Sequence, residues 1–487
     1  MIPVPGFEGR RIAVFGLGRS GLTAARALKA GGALPVLWDD SVSSRMQAEA
    51  EGFAVEDLTT ADWSGFAALV LSPGAPLTHP KPHWTVEKAK AAGVEVIGDI
   101  ELFARALAAL PEGERPRVVA ITGTNGKSTT TALIGWVLKQ AGLTVHVGGN
   151  IGIGVLALPG FGERGPSGPS VGGSGDADVD VRAPKAVYVI EVSSYQLDLT
   201  TSFAPDVAIL TNISPDHLDR HGGMEGYVAA KKRIFAHAAA AIVGVDDSWG
   251  EALASEIIGN GRYLITVTSN TAEQPAAGIG EQTIVYGPGQ VRLAYGAIDL
   301  TEARSLPGQH NAQNAACAYA AARALGVSPT DTVEGLLTFP GLAHRMETVG
   351  QLGKVRFVND SKATNADAAR QALASYDRSF WIAGGRAKAG GIDDLEDLFP
   401  RVVEAFLIGE AAGRFAARLG ETPHRISGDM ATAVHQAHEA AAATGREEVV
   451  LLSPAAASFD QYPDFEARGE AFRAAVLALG AKPASVP

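Results

Sequence analysis

The 487-residue chain is 46% hydrophobic, 19% charged and carries a formal net charge of −12. Such a length predicts about three domains, the acidic balance argues against nucleic acid as a partner, and no apolar run is long enough to cross a bilayer. A single cysteine, Cys317, cannot form an internal disulfide or a cysteine zinc site, and its alanine-rich surroundings read as a helix in a reducing, cytoplasmic setting.

In chain order, short apolar runs alternate with helical patterns, which predicts an α/β fold of parallel sheets covered by helices. The first run, Arg11–Phe15, leads into Gly16, Gly18 and Gly21, and Asp39-Asp40 end the next run. A G-x-G-x-x-G turn after a strand, with a carboxylate some twenty residues on, suits a nucleotide diphosphate on a Rossmann-like sheet. A nicotinamide-dependent dehydrogenase is the rival reading. A further run, from Ala68, ends in Ser72-Pro73-Gly74.

The second unit contains Arg117–Thr122, then Gly123-Thr-Asn-Gly126, then Lys127-Ser-Thr129 opening a helix. Strand, glycine loop and Lys-Ser at a helix start form a cradle for a nucleoside triphosphate, with backbone amides and Lys127 facing phosphates and a hydroxyl free for Mg²⁺. The general pattern wants a glycine where Ile121 stands. A second phosphate loop also weakens the dehydrogenase reading, because hydride transfer uses no triphosphate. Glu191 ends the run Ala186–Glu191 and is well placed for Mg²⁺. His217 follows the run Val207–Thr211, where it reads equally as a cap. Lys231 reads from pattern alone as a solvated helix lysine. Residues 160–180 hold little to bury and read as a loop insertion. Asn311 and Asn314 lie three apart on one helix face, as caps or as ligand contacts. A third unit follows Pro340-Gly341, with strands at Val355–Asn359, Phe380–Ala383, Ala405–Ile408 and Val449–Leu452. The expected domains are 1–98, 99–341 and 342–487.

Taken together, Thr122-Gly-Thr-Asn-Gly-Lys-Ser-Thr129, Glu191-Val-Ser-Ser, Asn212-Ile-Ser-Pro-Asp-His-Leu-Asp219, Gly308-Gln-His-Asn-Ala-Gln-Asn314 and His344-Arg345 resemble, in order, the motifs of the Mur ligase superfamily. In that family the phosphate loop lacks its first glycine, so Ile121 becomes support. The single nucleotide-fold N-terminal domain, Asn359-Asp-Ser-Lys-Ala-Thr-Asn365 and Leu452-Ser-Pro-Ala-Ala-Ala-Ser-Phe-Asp-Gln461 resemble the D-glutamate-adding branch. Alanine-adding and folylpolyglutamate-forming ligases are the nearer alternatives.

The resemblance implies an ATP- and Mg²⁺-dependent ligase, a cytoplasmic monomer of peptidoglycan precursor synthesis. It joins UDP-N-acetylmuramoyl-L-alanine to D-glutamate through an acyl phosphate. Lys127 would then bridge the transferred phosphoryl group, Ser128 and Glu191 would hold one Mg²⁺, and His217 with a carbamylated Lys231 a second. Gly123 to Thr129, Asn311, Asn314, Arg345 and Asp360 would bind ATP, and Lys362 would lie near the reacting phosphates. Gly16, Leu17, Gly18, Asp39 or Asp40, Ser72, Pro73, Gly74 and Asn150 would hold the UDP substrate. Thr364, Lys388, Ser458, Phe459 and Phe465 would receive D-glutamate. A hinge is expected near Gly341-Leu342.

Overall fold

In a computed structural model, the structure describes residues 1–162, 186–270, 276–277, 281–303, 305–387 and 390–483. Lys388, and residues 163–180 of the expected insertion, lie outside the described residues. The fold is α/β with three sheets.

The first sheet comprises β1 (Arg11–Phe15), β2 (Leu34–Trp38), β3 (Ala54–Val55), β4 (Phe66–Leu71) and β5 (Glu95–Ile97), in the order β3-β2-β1-β4-β5. All its pairings are parallel. Both faces are covered, and the two-residue side-chain period shows how. In β1, Ile12 and Val14 enter one core while Ala13 and Phe15 enter another. A strand apolar at every position is therefore stable only between two helical layers.

The central sheet contains β6 (Arg117–Thr122), β7 (Val145–Gly149), β8 (Val187–Glu191), β9 (Val207–Leu210), β10 (Ala240–Gly244), β11 (Tyr263–Thr268), β12 (Ala276–Ala277), β13 (Glu281–Gly287), β14 (Gln290–Leu293) and β15 (Gly296–Asp299). Its order is β15-β14-β13-β11-β10-β9-β6-β8-β7, with β12 on β13. The strand before the phosphate loop, β6, is thus flanked by β8 and β9, and all three end on the same side. The antiparallel edge β13–β15 was not expected from the apolar runs. Its strands are half-polar, and a strand exposed on one face carries no continuous run.

The third sheet holds β16 (Glu347–Leu352), β17 (Val355–Asn359), β18 (Ser379–Gly384), β19 (Val402–Ile408), β20 (His424–Gly428), β21 (Glu448–Leu452) and β22 (Lys482–Pro483), ordered β20-β19-β18-β21-β17-β16-β22. Its parallel centre is again two-sided: Val449 and Leu451 of β21 face one core, Val450 and Leu452 the other.

The chain divides into two compact units, Met1–Asp299 with Ala312–Leu336, and Leu300–Asn311 with Leu337–Pro487. The first unit holds two sheets because they share a core. Val14 and Leu28 from the first sheet's layers and Val118 and Tyr188 from the second belong to one apolar cluster. At its centre Phe103 meets Phe161, Tyr188 and Phe203 edge-on or tilted. Each such ring removed from water contributes about 1.5–3 kcal/mol.

Candidate active site

In the first unit the phosphate loop leaves β6 and enters the helix Lys127–Gln140 through two glycines at positive φ, Gly123 (144°) and Gly126 (82°). A Cβ on Gly123 would overlap Thr211 Oγ1, and one on Gly126 would overlap Asn314 Oδ1. Backbone so close to its neighbours admits no side chain. The segment after β9 clamps the loop from beneath. The amide of Thr124 donates to Asn212 O (2.9 Å), that of Asn125 to Asn212 Oδ1 (2.9 Å), and Thr211 Oγ1 to Asn125 O (2.6 Å). Thr124 Oγ1 lies 3.0 Å from the Tyr227 hydroxyl. Ser128 is buried and Thr129 half-buried in the first helical turn, whose amides lack intrahelical acceptors and so face an anion.

Two lysines converge on this loop. Lys127 Nζ donates to the carbonyls of Gly123 (3.0 Å) and Thr124 (2.8 Å), and Lys231 Nζ donates to Gly123 O (2.6 Å). The solvated-helix reading of Lys231 is excluded, since the residue is 1% exposed. Burial first, then the charge of Lys127, holds its amine well below the ordinary lysine range, against the pull of Asp216 and Glu191. Its neutral form is therefore accessible.

Glu191, at the tip of β8, is 2% exposed. Its Oε1 accepts from Asn150 Nδ2 (2.8 Å) and its carbonyl from the Asn150 amide (2.8 Å), while Oε2 is buried with no hydrogen-bond partner. An orphaned carboxylate oxygen beside the phosphate strand fits a divalent cation. Among the described residues no cluster of three or more His, Cys, Asp or Glu side chains forms a ready-made metal cage. Asn150 thus orients Glu191. His217 adopts φ 53° at the start of the short helix Leu218–His221 and makes no capping bond through its side chain. Its ring lies 3.4 Å from the Asp216 carboxylate and against Tyr195. Asn314 accepts from Thr130 Oγ1 (3.1 Å) and packs on Gly126, bracing the loop.

At the first sheet, Gly16 (φ 87°) turns so tightly that a Cβ would strike Ser72, bringing the two strand ends together. The two aspartates behave differently. Asp39 accepts the amides of Leu17 (2.6 Å) and Ser41 (2.8 Å), so its carboxylate orders the turn. The Asp40 carboxylate is exposed, 3.9 Å from His83 Nε2. Gly18 is the N-cap of the helix Arg19–Ala30. Pro73 and Gly74 turn their carbonyls toward Arg220.

The second unit gathers its own set. Asp360, at the end of β17, accepts from Ser453 Oγ (2.9 Å) and from the Met346 amide (3.3 Å). Burial pushes its carboxyl up to about 7, opposed by Ser453 and Arg345. Lys362 Nζ sits 3.8 Å from the centroid of the half-buried Phe465 ring. Asn311 Nδ2 donates to Pro307 O (2.8 Å), which ties down the turn before its helix. Ser458 is buried, the Phe459 side chain is exposed and Thr364 half-buried. These segments are joined by Arg468, whose guanidinium donates to Ser361 O (2.8 Å), Ser361 Oγ (3.0 Å) and Ala456 O (2.9 Å). Arg386 forms a backbone bridge with Ala457 and an exposed ion pair with Glu410.

Residues 121–322 match the Mur ligase middle domain and residues 344–456 the Mur ligase glutamate ligase domain. The chain is 60% identical to UDP-N-acetylmuramoylalanine--D-glutamate ligase of Caulobacter vibrioides over 485 residues, 99% of this chain and 98% of that protein. The chain belongs to the Mur ligase family. A similarly named ligase of Phenylobacterium zucineum is 57% identical, covering 98% of both chains. Among solved structures, the UDP-N-acetylmuramate-alanine ligase of Thermotoga maritima matches with TM-score 0.55 and 16% identity, over 96% of this chain and 99% of that one. A pseudomurein peptide ligase type C from Methanothermus fervidus matches with TM-score 0.51 and 18% identity, over 97% and 100%. This Mur ligase is accordingly an ATP-dependent enzyme that forms C–N bonds. For several residues that build its site the sequence assigns no role, although Gln313 lies within the motif Gly308–Asn314. Gln313 bridges Thr211 O (3.0 Å) and Asn212 Nδ2 (3.1 Å), and Arg220, Tyr195, His221 and Arg468 act through geometry that no local pattern encodes.

Proposed function

We propose that the chain joins D-glutamate to UDP-N-acetylmuramoyl-L-alanine by way of an acyl phosphate. The observation that carries this reading is the 60% identity along the whole length to ligases named for that reaction. The alanyl carboxylate attacks the γ-phosphorus of ATP, the bond to ADP breaks, and the amine of D-glutamate displaces phosphate from the acyl carbon, losing a proton. The chemistry is a problem of charge. Two anions must meet, and fixed cations and amides lower that barrier, each worth about 10²–10³ in rate.

Lys127 and the amides of Gly123 to Thr129 receive the triphosphate. When bound, Mg²⁺ would offset phosphate charge, held through Ser128 and Glu191, and at a second position through His217 and Lys231 as a carbamate. The buried amine of Lys231, held well below the ordinary lysine range by burial and by Lys127, supports that modification, because only an unprotonated amine adds CO₂. Asn311, Asn314, Arg345 and Asp360 complete ATP recognition, with Lys362 at the phosphates. The Gly16-Leu17-Gly18 turn, Asp40, Ser72 to Gly74 and Asn150 receive the UDP moiety, with Asp39 ordering the turn. Thr364, Lys388, Ser458, the backbone at Phe459, and Phe465 receive D-glutamate. The reading includes a cytoplasmic, monomeric enzyme of peptidoglycan precursor synthesis.

The test supplies ATP, Mg²⁺ and UDP-N-acetylmuramoyl-L-alanine and measures phosphate release with D-glutamate, L-glutamate, L-alanine or no amino acid. Release that depends on D-glutamate is expected. Release indifferent to it overturns the assignment, and dependence on another acceptor identifies a sister ligase.

A further inference from the structure

Arg220 stands between the two sheets of the first unit. It lies in the short helix Leu218–His221, three residues beyond His217. Its Nη1 donates to the carbonyl of Gly74 (3.1 Å) and its Nη2 to that of Pro73 (3.4 Å), 146 and 147 residues away in sequence. The guanidinium carbon lies 4.6 Å from the centroid of Tyr195. That ring in turn stacks on His221 at 15° and 5.3 Å, and His221 is itself held by Asp198 (3.0 Å) and Ser194 (3.0 Å). A guanidinium supported from behind by an aromatic face, with its fork on two successive carbonyls, has little freedom to turn.

The consequence lies in the peptide planes. In a trans peptide the carbonyl and the following N–H point in opposite directions. Drawing the Pro73 carbonyl toward Arg220 therefore aims the Gly74 amide away from it. Drawing the Gly74 carbonyl the same way aims the Ala75 amide back, where it meets Ser72 O (2.9 Å). Ser72 is the residue against which the Gly16 turn is packed. A single side chain thus sets the orientation of the Ser72–Gly74 turn and, through it, the mouth of the glycine turn.

We propose that Arg220 is a positioning residue for the UDP substrate: it presents the Gly74 amide to the diphosphate and registers the nucleotide turn against the segment bearing His217. This rests on the reading of the Ser72–Gly74 turn as part of the UDP site. Arg220 does not touch the reacting atoms.

The test compares the wild-type enzyme with Arg220→Met and Arg220→Lys, by steady-state kinetics in each substrate and by calorimetric titration with UDP alone. Losing two charge-assisted bonds to the turn is expected to weaken UDP binding and raise KM for the UDP substrate by about tenfold or more. KM for ATP and for D-glutamate stays within about twofold on the same argument. Lysine, which reaches one carbonyl but not both, recovers part of the loss. A parallel rise in all three KM values, or unchanged UDP affinity in either variant, overturns the proposal. UDP titration requires no turnover, so its outcome is separable from failure of the ligase reading, which shows as wild-type enzyme without D-glutamate-dependent phosphate release.

Discussion

Lys231 shows how far burial can redirect a side chain. A lysine with 1% exposure, beside a second ammonium and donating to Gly123 O, is not there to meet solvent. Lys231→Ala is expected to lower kcat by about 10²–10³. Formate or acetate should restore part of it by supplying the missing carboxylate; phosphate release with and without the added acid measures both. The depressed amine sets the sign of the pH effect, since acid protonates Nζ and removes the form that adds CO₂. Glu191→Gln removes the charge that its unpartnered Oε2 offers a cation. The Mg²⁺ concentration for half-maximal rate should rise about tenfold or more, read from an Mg²⁺ titration of activity. Asp360 works in the opposite direction on stability. Its carboxyl is raised from 3.8 to about 7 by burial, so the folded chain keeps a proton that the unfolded chain releases across that interval. The stability it contributes is present below about pH 4 and lost as pH rises through 7. Asp360→Asn, a mimic of the neutral acid, should gain on the order of 4 kcal/mol relative to wild type between those limits, measured by urea unfolding at pH 4 and 7.5.

At the scale of elements, the phosphate loop is the one whose conformation its own residues dictate. Gly123 and Gly126 hold φ values that a side chain resists, and a Cβ on either would displace a neighbouring side-chain oxygen, of Thr211 or Asn314. Gly126→Ala is expected to cost about 1–3 kcal/mol of stability and to raise KM for ATP, as thermal melting and ATP-dependent rates will show. The loop does not hold itself. Its backbone is tied to Thr211 and Asn212, just after β9, while from the helix Gln309–Ala324 Asn314 accepts from Thr130 beyond the loop and Gln313 holds Asn212 in turn. The parallel strands β1, β6, β8, β17 and β21 were legible because burial on both faces writes an unbroken apolar run. The antiparallel edges, β13 to β15 and β16 with β22, were not, because one-sided burial and short length leave no such run.

For the whole molecule, the division of labour follows the two compact units. The first carries the phosphate loop and the turn proposed to receive UDP, the second the residues proposed to receive D-glutamate. Ser458→Ala should therefore raise KM for D-glutamate by several-fold, up to about tenfold, and leave KM for the UDP substrate unchanged, as initial rates in each substrate will show. By itself, the sequence determined the family, the α/β class, the glycine loop between β6 and its helix, and the acidic residue at the tip of β8. Each of these is a local pattern: a run, a glycine spacing, a residue at a strand end. Only the tertiary structure decided that Lys231 is buried, that Asp39 orders the glycine turn while Asp40 stays exposed, that Asn150 orients Glu191, and that Arg220 reaches Pro73 and Gly74. Burial and long-range hydrogen bonds depend on which distant segments the sheets bring together, and no spacing along the chain encodes a contact across 146 residues.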